Sequence, residues 1–181
     1  RDRLRSRGLG DVYKRQAKMR VEKDMEFPFL PRFGIRLFLK KSMDKVTYLG
    51  IGPDESYVDK RHGGSHEIFQ KCVAELHEDY IRPQENGSHC DCDYVKVESD
   101  TAVLTAAGEK TFAFNASLYT AEELTEKRHS YELVPCRSTV LCLDYAQSGI
   151  GSNSCGPTLL EQYQLNEKNF TFELNLMIRR K

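Results

Sequence analysis

At 181 residues, with 27 basic residues balancing 27 acidic ones and 39% hydrophobic content, the chain is sized for one domain with its own core. That charge balance excludes a whole-chain field able to hold nucleic acid or an anionic membrane. No run of about 18 apolar residues is present to span a bilayer, and no apolar segment follows the charged N-terminus as a secretory signal requires.

The first sixteen residues, RDRLRSRGLGDVYKRQ, hold six bases (Arg1, Arg3, Arg5, Arg7, Lys14, Arg15) against two acids, so the rest of the chain is mildly acidic. The pieces RDR and GDVYKRQ resemble translated sequencing-adapter ends. Residues 1–16 are therefore expected to be a non-native leader, and 17–181 the domain proper. Ala17 to Pro31 is mixed and ends in FPFLP, whose prolines require an extended path. Phe33, Ile35, Leu37 and Leu39 alternate with Arg36, Phe38 and Lys40, the period of a strand with one face inward. Val46 to Ile51 reads as a second strand, stopped by Gly52-Pro53. The polar stretch Gly52 to Gly64 is turn-rich. Ile68, Phe69, Cys72, Val73 and Leu76 fit one helical face, and the same segment also fits a short helix running into a strand.

In YIRPQENG, Tyr80 to Gly87, Pro83 forbids a central strand, and Asn86-Gly87 favours a turn with positive φ. Tyr94 to Val97 and Ala102 to Thr105 read as strands, with Gly108 turning the chain toward another at Thr111 to Asn115. Thr120 followed by Glu123 forms a capping box that opens a short helix to about Lys127. Leu133 to Pro135 and Thr139 to Tyr145 read as strands, the second apolar enough to be buried on both faces. Phe170, Phe172, Leu174, Leu176 and Ile178 alternate with polar partners as the cleanest strand of the chain. Many short strands, frequent turn signals and one or two short helices indicate an all-β, antiparallel sandwich.

Cys72, Cys90, Cys92, Cys136, Cys142 and Cys155 make six cysteines without a CxxC pair. Cys90 and Cys92 read as neighbours on one strand face, too far apart along the chain for a normal disulfide. A reduced, cytoplasmic setting is expected. Glu55 with Asp59, or Glu85 beside Asn86, are candidate paired carboxylates, but in polar turns such groups usually accept backbone amides or pair with arginine. His89, Cys90 and Cys92 lack the second ligand pair of a zinc site, and Gly63-Gly64 spoils a helical face for His62 and His66. Nothing local brings Cys155 to His129 as nucleophile and base. GIGS fails the third glycine of a dinucleotide loop. The chain has no tryptophan to stack a sugar; Tyr57, Tyr145 and Tyr163 are candidate substitutes, and the absence weakens a lectin reading. The stretch SGIGSNSCGP, Ser148 to Pro157, cannot be helix or central strand and reads as a shaped loop at a strand end, the usual place for a binding site.

Three stretches in order resemble the small chain, or fifth domain, of glycoside hydrolase family 2 β-galactosidases. They are YLGIGPDESYVDKR (Tyr48 to Arg61), YIRPQENGSHCDCDYV (Tyr80 to Val95), and FNASLYTAEEL (Phe114 to Leu124) with LDYAQSGIGSNSCGP (Leu143 to Pro157). The resemblance implies an antiparallel β-supersandwich, galactose mutarotase-like and incomplete because the chain begins partway through it. It implies that the two catalytic glutamates of a retaining hydrolase lie on a barrel domain elsewhere, with magnesium and sodium sites also outside this chain, so that no residue here is catalytic and the isolated chain is inactive. It also implies partners: the remaining domains of the enzyme or a large subunit, a galactoside substrate, and an oligomeric parent. Aligning GIGSNSCGP puts Cys155 where some members carry a tryptophan that packs against substrate, flanked by Asn153 and Ser154. A cysteine offers no aromatic platform but is a small polarizable lining group. The alternative function is a non-catalytic carbohydrate-binding module.

Overall fold

The computed structural model describes residues 12–24, 26–151 and 157–181. Eight strands are present: β1 Val12–Glu22, β2 Arg32–Lys40, β3 Lys45–Gly52, β4 Ser65–Cys72, β5 Ser88–Glu98, β6 Ala102–Ser117, β7 Ser138–Gln147 and β8 Asn169–Arg180. One short α-helix, α1 Ala121–Glu126, and 3₁₀ turns at Val73–Leu76, Ser130–Glu132 and Glu161–Tyr163 complete the described elements. Every strand pair is antiparallel.

The sheet is organised around the 16-residue β6. Its first half, Ala102 to Gly108, pairs with β8, and its second half, Ala113 to Ser117, pairs with β7. Its other edge carries β5, then β3, then β4. The sheet therefore forks, into a β8–β1 branch and a β7–β2 branch. Phe33 of β2 meets Phe170 of β8 edge-on, with ring centroids 5.2 Å apart, and Tyr145 of β7 stacks on Phe170 at 4.4 Å. One core unites the branches: Val46 and Tyr48 from β3, Val95 and Val97 from β5, Phe112 and Phe114 from β6, Leu141 and Leu143 from β7, and Phe172 and Leu174 from β8. The result is the expected all-β sandwich.

Local chemistry explains the agreements. Phe33, Ile35, Leu37 and Leu39 of β2 all pack on the core, as period two requires. Six consecutive residues of β7, Thr139 to Asp144, are buried on both faces. Thr120 caps α1, its Oγ1 accepting the Glu123 amide at 3.1 Å. Glu123 turns away from a reciprocal capping box and accepts the Val134 amide instead, at 2.8 Å.

Three expectations are corrected. The Ile68–Leu76 helix is instead strand β4 followed by a 3₁₀ turn, because Ser65 to Cys72 pair residue for residue with β3. Gly108 does not end a strand; β6 runs through it, and pairing with β8 stops there. Leu133 to Pro135 form no strand, and Val134 is exposed. The mixed segment before FPFLP contains most of β1, whose alternation of Ala17, Met19 and Val21 is its one inward signal. Residues 12–16, assigned from sequence to the leader, pair with Arg179 to Asn175 through backbone bonds, their side chains exposed.

Truncating Leu174→Ala, fully buried at the core, is expected to lower the unfolding free energy by about 2–5 kcal/mol. Ile68→Ala on exposed β4 should change it by less than about 0.5 kcal/mol in the same urea titrations. Equal losses at the two positions would contradict this assignment of the core.

Candidate functional site

Two turn-rich segments, Gly52 to Gly64 and Tyr80 to Gly87, and the start of the loop after β7 meet at one end of the sandwich. Glu55 joins the first two. Only 7% exposed, it accepts the Gly87 amide at 2.7 Å and the Lys60 ammonium at 2.6 Å, and Tyr80 donates its hydroxyl to the same carboxylate. Neighbouring residues repeat the link. The Ser56 amide donates to Ser88 O at 2.7 Å, and Ser56 Oγ accepts the Cys90 amide at 3.0 Å. Tyr57, 2% exposed, accepts the Ser88 amide at 3.4 Å. A buried phenol in this role offers no face to a sugar.

The sequence QENG has a separate use for each of its last three residues. Glu85 accepts from Arg32 Nη1 at 3.0 Å. Asn86 accepts the Glu78 amide at 3.1 Å, and its own carbonyl accepts from Asn115 of β6. Gly87 has φ of 70°, and a side chain there would strike Leu76 O at 2.2 Å, so only glycine presents this amide to Glu55. Two residues on, His89 is 1% exposed, lies with its ring 4.5 Å from Tyr48, and bonds through Nδ1 to Ile51 O at 3.1 Å.

Arg32 of β2 also reaches β7, donating from Nη2 to Asp144 Oδ2 at 2.5 Å, an oxygen that also accepts from Gln147 at 3.0 Å. Burial raises the carboxyls of Asp144 and Glu85, and Arg32 opposes the rise in both. The guanidinium is itself pulled down by burial, but its two carboxylates outweigh this and hold it above its ordinary range. Just past β7, Ser148 Oγ donates to Leu30 O at 2.7 Å and accepts the Leu165 amide at 2.9 Å. Asp59 accepts the amides of Ile150 and Gly151 at 3.2 and 2.8 Å. Thus Glu55, Asp59 and Glu85 each engage a backbone amide or a cation. Asn153, Ser154 and Cys155 lie outside the described residues.

A charged cleft of about 360 Å³ opens beside this junction, lined among others by Asp54, Glu55, Asp59, Arg61 and His62. His129 stacks on Tyr131 and lies 3.5 Å from Glu132 in its own 3₁₀ turn. Cys90 and Cys92 do not share a plain strand face: register shifts flank Cys92, and Asp91 between them has φ of 52°. The described cysteines are free thiols. Among the described residues, no three His, Cys, Asp or Glu side chains gather to hold a metal ion, and no helix is long and apolar enough to cross a membrane. Sequence reasoning named Glu55, Asp59, Glu85 and the stretch from Ser148 but missed Arg32 and Asp144, which become partners only when distant strands pair.

The chain is thus an all-β domain whose charged turns lock together at one sheet end. Residues 11–176 match the family described as β-galactosidase small chain, and the chain belongs to that family. It is 49% identical to a β-galactosidase of Actinobacillus pleuropneumoniae over 152 residues, 84% of this chain and 15% of that protein. It is 44% identical to one of Staphylococcus xylosus over 156 residues, 86% of this chain and 16% of that protein. With one of Kluyveromyces lactis it shares 33% identity over 159 residues, 87% of this chain and 15% of that protein. The chain thus spans about one sixth or less of the length of these relatives.

Burial holds the His89 imidazole neutral, with its pKa lowered to about 4; Lys71 acts in the same direction, while the Ile51 carbonyl, Glu55 and Asp54 oppose it. An unfolded imidazole protonates near 6.5, so between the two values the unfolded chain binds more protons. The stability this contributes is full above about 6.5 and lost as pH falls toward about 4, in total about 3 kcal/mol. Denaturation midpoints measured across that window should fall more steeply for the wild type than for His89→Phe. Parallel profiles would contradict the assignment.

Proposed function

We propose that the chain is the C-terminal portion of a β-galactosidase that hydrolyses terminal β-D-galactosides such as lactose with retention of configuration. In this reading it completes the scaffold and edges the substrate pocket, while both catalytic glutamates stand on a barrel domain elsewhere in the enzyme. The observation that carries the reading is 49% identity to a β-galactosidase over 84% of this chain, within 15% of that protein's length. The hydrogen bonding adds support: Glu55, Asp59 and Glu85 are engaged by amides and cations, which suits a supporting role. A retaining hydrolase needs two carboxyls about 5–5.5 Å apart across a glycosidic bond.

The loop from Ser148 is the contact with substrate, through Cys155 flanked by Asn153 and Ser154. Cys155 lines the pocket without the stacking surface of an aromatic ring, so this contact contributes less to sugar affinity than a tryptophan does. Magnesium and sodium belong to other portions of the parent enzyme, which works in the cytoplasm as an oligomer.

The test is a chimera: the 152-residue match of the Actinobacillus pleuropneumoniae β-galactosidase is replaced by the corresponding residues of this chain. The chimera should cleave an aryl β-galactoside and release β-galactose first by NMR, whereas the 181-residue chain alone should cleave nothing. Cleavage by the isolated chain, or a folded but inactive chimera, would contradict the proposal. Cys155→Trp in the chimera should lower KM.

A further inference from the structure

We propose that Asp59 is a positioning residue for the loop that follows β7, fixing the backbone where that loop leaves the sandwich. The consequence for substrate rests on the β-galactosidase reading; the anchoring does not. Two consecutive amides, of Ile150 and Gly151, donate one to each oxygen of the Asp59 carboxylate. Consecutive amides aimed at one anion make a concave turn whose shape depends on that charge, and bonds to an ionised acceptor are the stronger kind. The partners are 91 and 92 residues apart in sequence, so the turn is shaped by a tertiary contact rather than by its own residues.

The glycines fit this role. A side-chain carbon on Gly149 would lie 2.4 Å from the Asp59 carboxyl carbon, and one on Gly151 would lie 3.0 Å from Oδ2. The absence of side chains at both positions is what lets the carboxylate approach the amides. Immediately upstream the hold is of another kind, since the Ser148 amide donates to Pro31 O at 2.9 Å and the Gly149 amide to Tyr163 O at 2.9 Å. Those bonds run backbone to backbone and survive a change at Asp59. Loss of the carboxylate should therefore free the chain from Ile150 onward and leave β7 and Ser148 in place.

Amide exchange followed by NMR on the 181-residue chain tests the anchoring. In Asp59→Ala, exchange at Ile150 and Gly151 should quicken about tenfold while Gly149 is unchanged, with Asp59→Asn between the two. In the chimera, Asp59→Ala should raise KM for a galactoside about tenfold with kcat within about twofold, and Asp59→Asn should recover part of the loss. Unchanged exchange at both amides overturns the proposal. So does loss of protection throughout the sandwich, or a fall in kcat at constant KM, either of which marks a merely structural residue. An inactive wild-type chimera would remove the β-galactosidase reading, and the exchange data would then decide the role of Asp59 alone.

Discussion

The buried carboxylate of Glu55 is the constraint on which the interlocked turns at one end of the sandwich depend. A charge taken out of water is costly unless it is fully paired and hydrogen-bonded. Here an ammonium, a phenol and a backbone amide, from Lys60, Tyr80 and Gly87, converge on it. Satisfying that one group brings Gly87 into its positive-φ turn and sets the first motif against the second. Ser56 and Tyr57 can then meet Ser88, and Asp59 lies on the side from which the post-β7 loop arrives.

The scaffold beneath makes that junction possible. By changing partner from β8 to β7 along its length, β6 brings two branches of sheet over one core, and it delivers Asn115 to the Asn86 carbonyl. Arg32 then ties β2 to the second motif and to β7, across separations of 53 and 112 residues. These long-range ion pairs connect β2 and β7 to the turns at this end of the sandwich.

What was legible in the sequence was what local chemistry decides. The alternation in Phe33 to Lys40 and Phe170 to Ile178, the Thr120 cap and the Asn86-Gly87 turn follow from side-chain period and backbone preference. Strand β4 was not legible: its apolar residues fit a helical face, yet β3 offered an open edge, and backbone pairing outweighed the periodicity of side chains that end up largely exposed. β1 was hidden for the same reason, having little to bury. Gly108 carries the turn signal of an ordinary hairpin, and only the presence of two partner strands makes it a point of partner exchange. The candidate carboxylates could be named from composition, but the convergence of Glu55 on Gly87 and of Asp59 on Ile150 and Gly151 is a property of the fold. The family followed from ordered motifs rather than from any single reactive residue.

Glu55 offers the most direct test of whether these carboxylates hold the turn segments together rather than act on substrate. Equilibrium unfolding of Glu55→Ala in urea, read with amide exchange at Gly87, is predicted to show a loss of about 3 kcal/mol and of Gly87 protection. Stability within about 0.5 kcal/mol of the wild type, with Gly87 still protected, would contradict it.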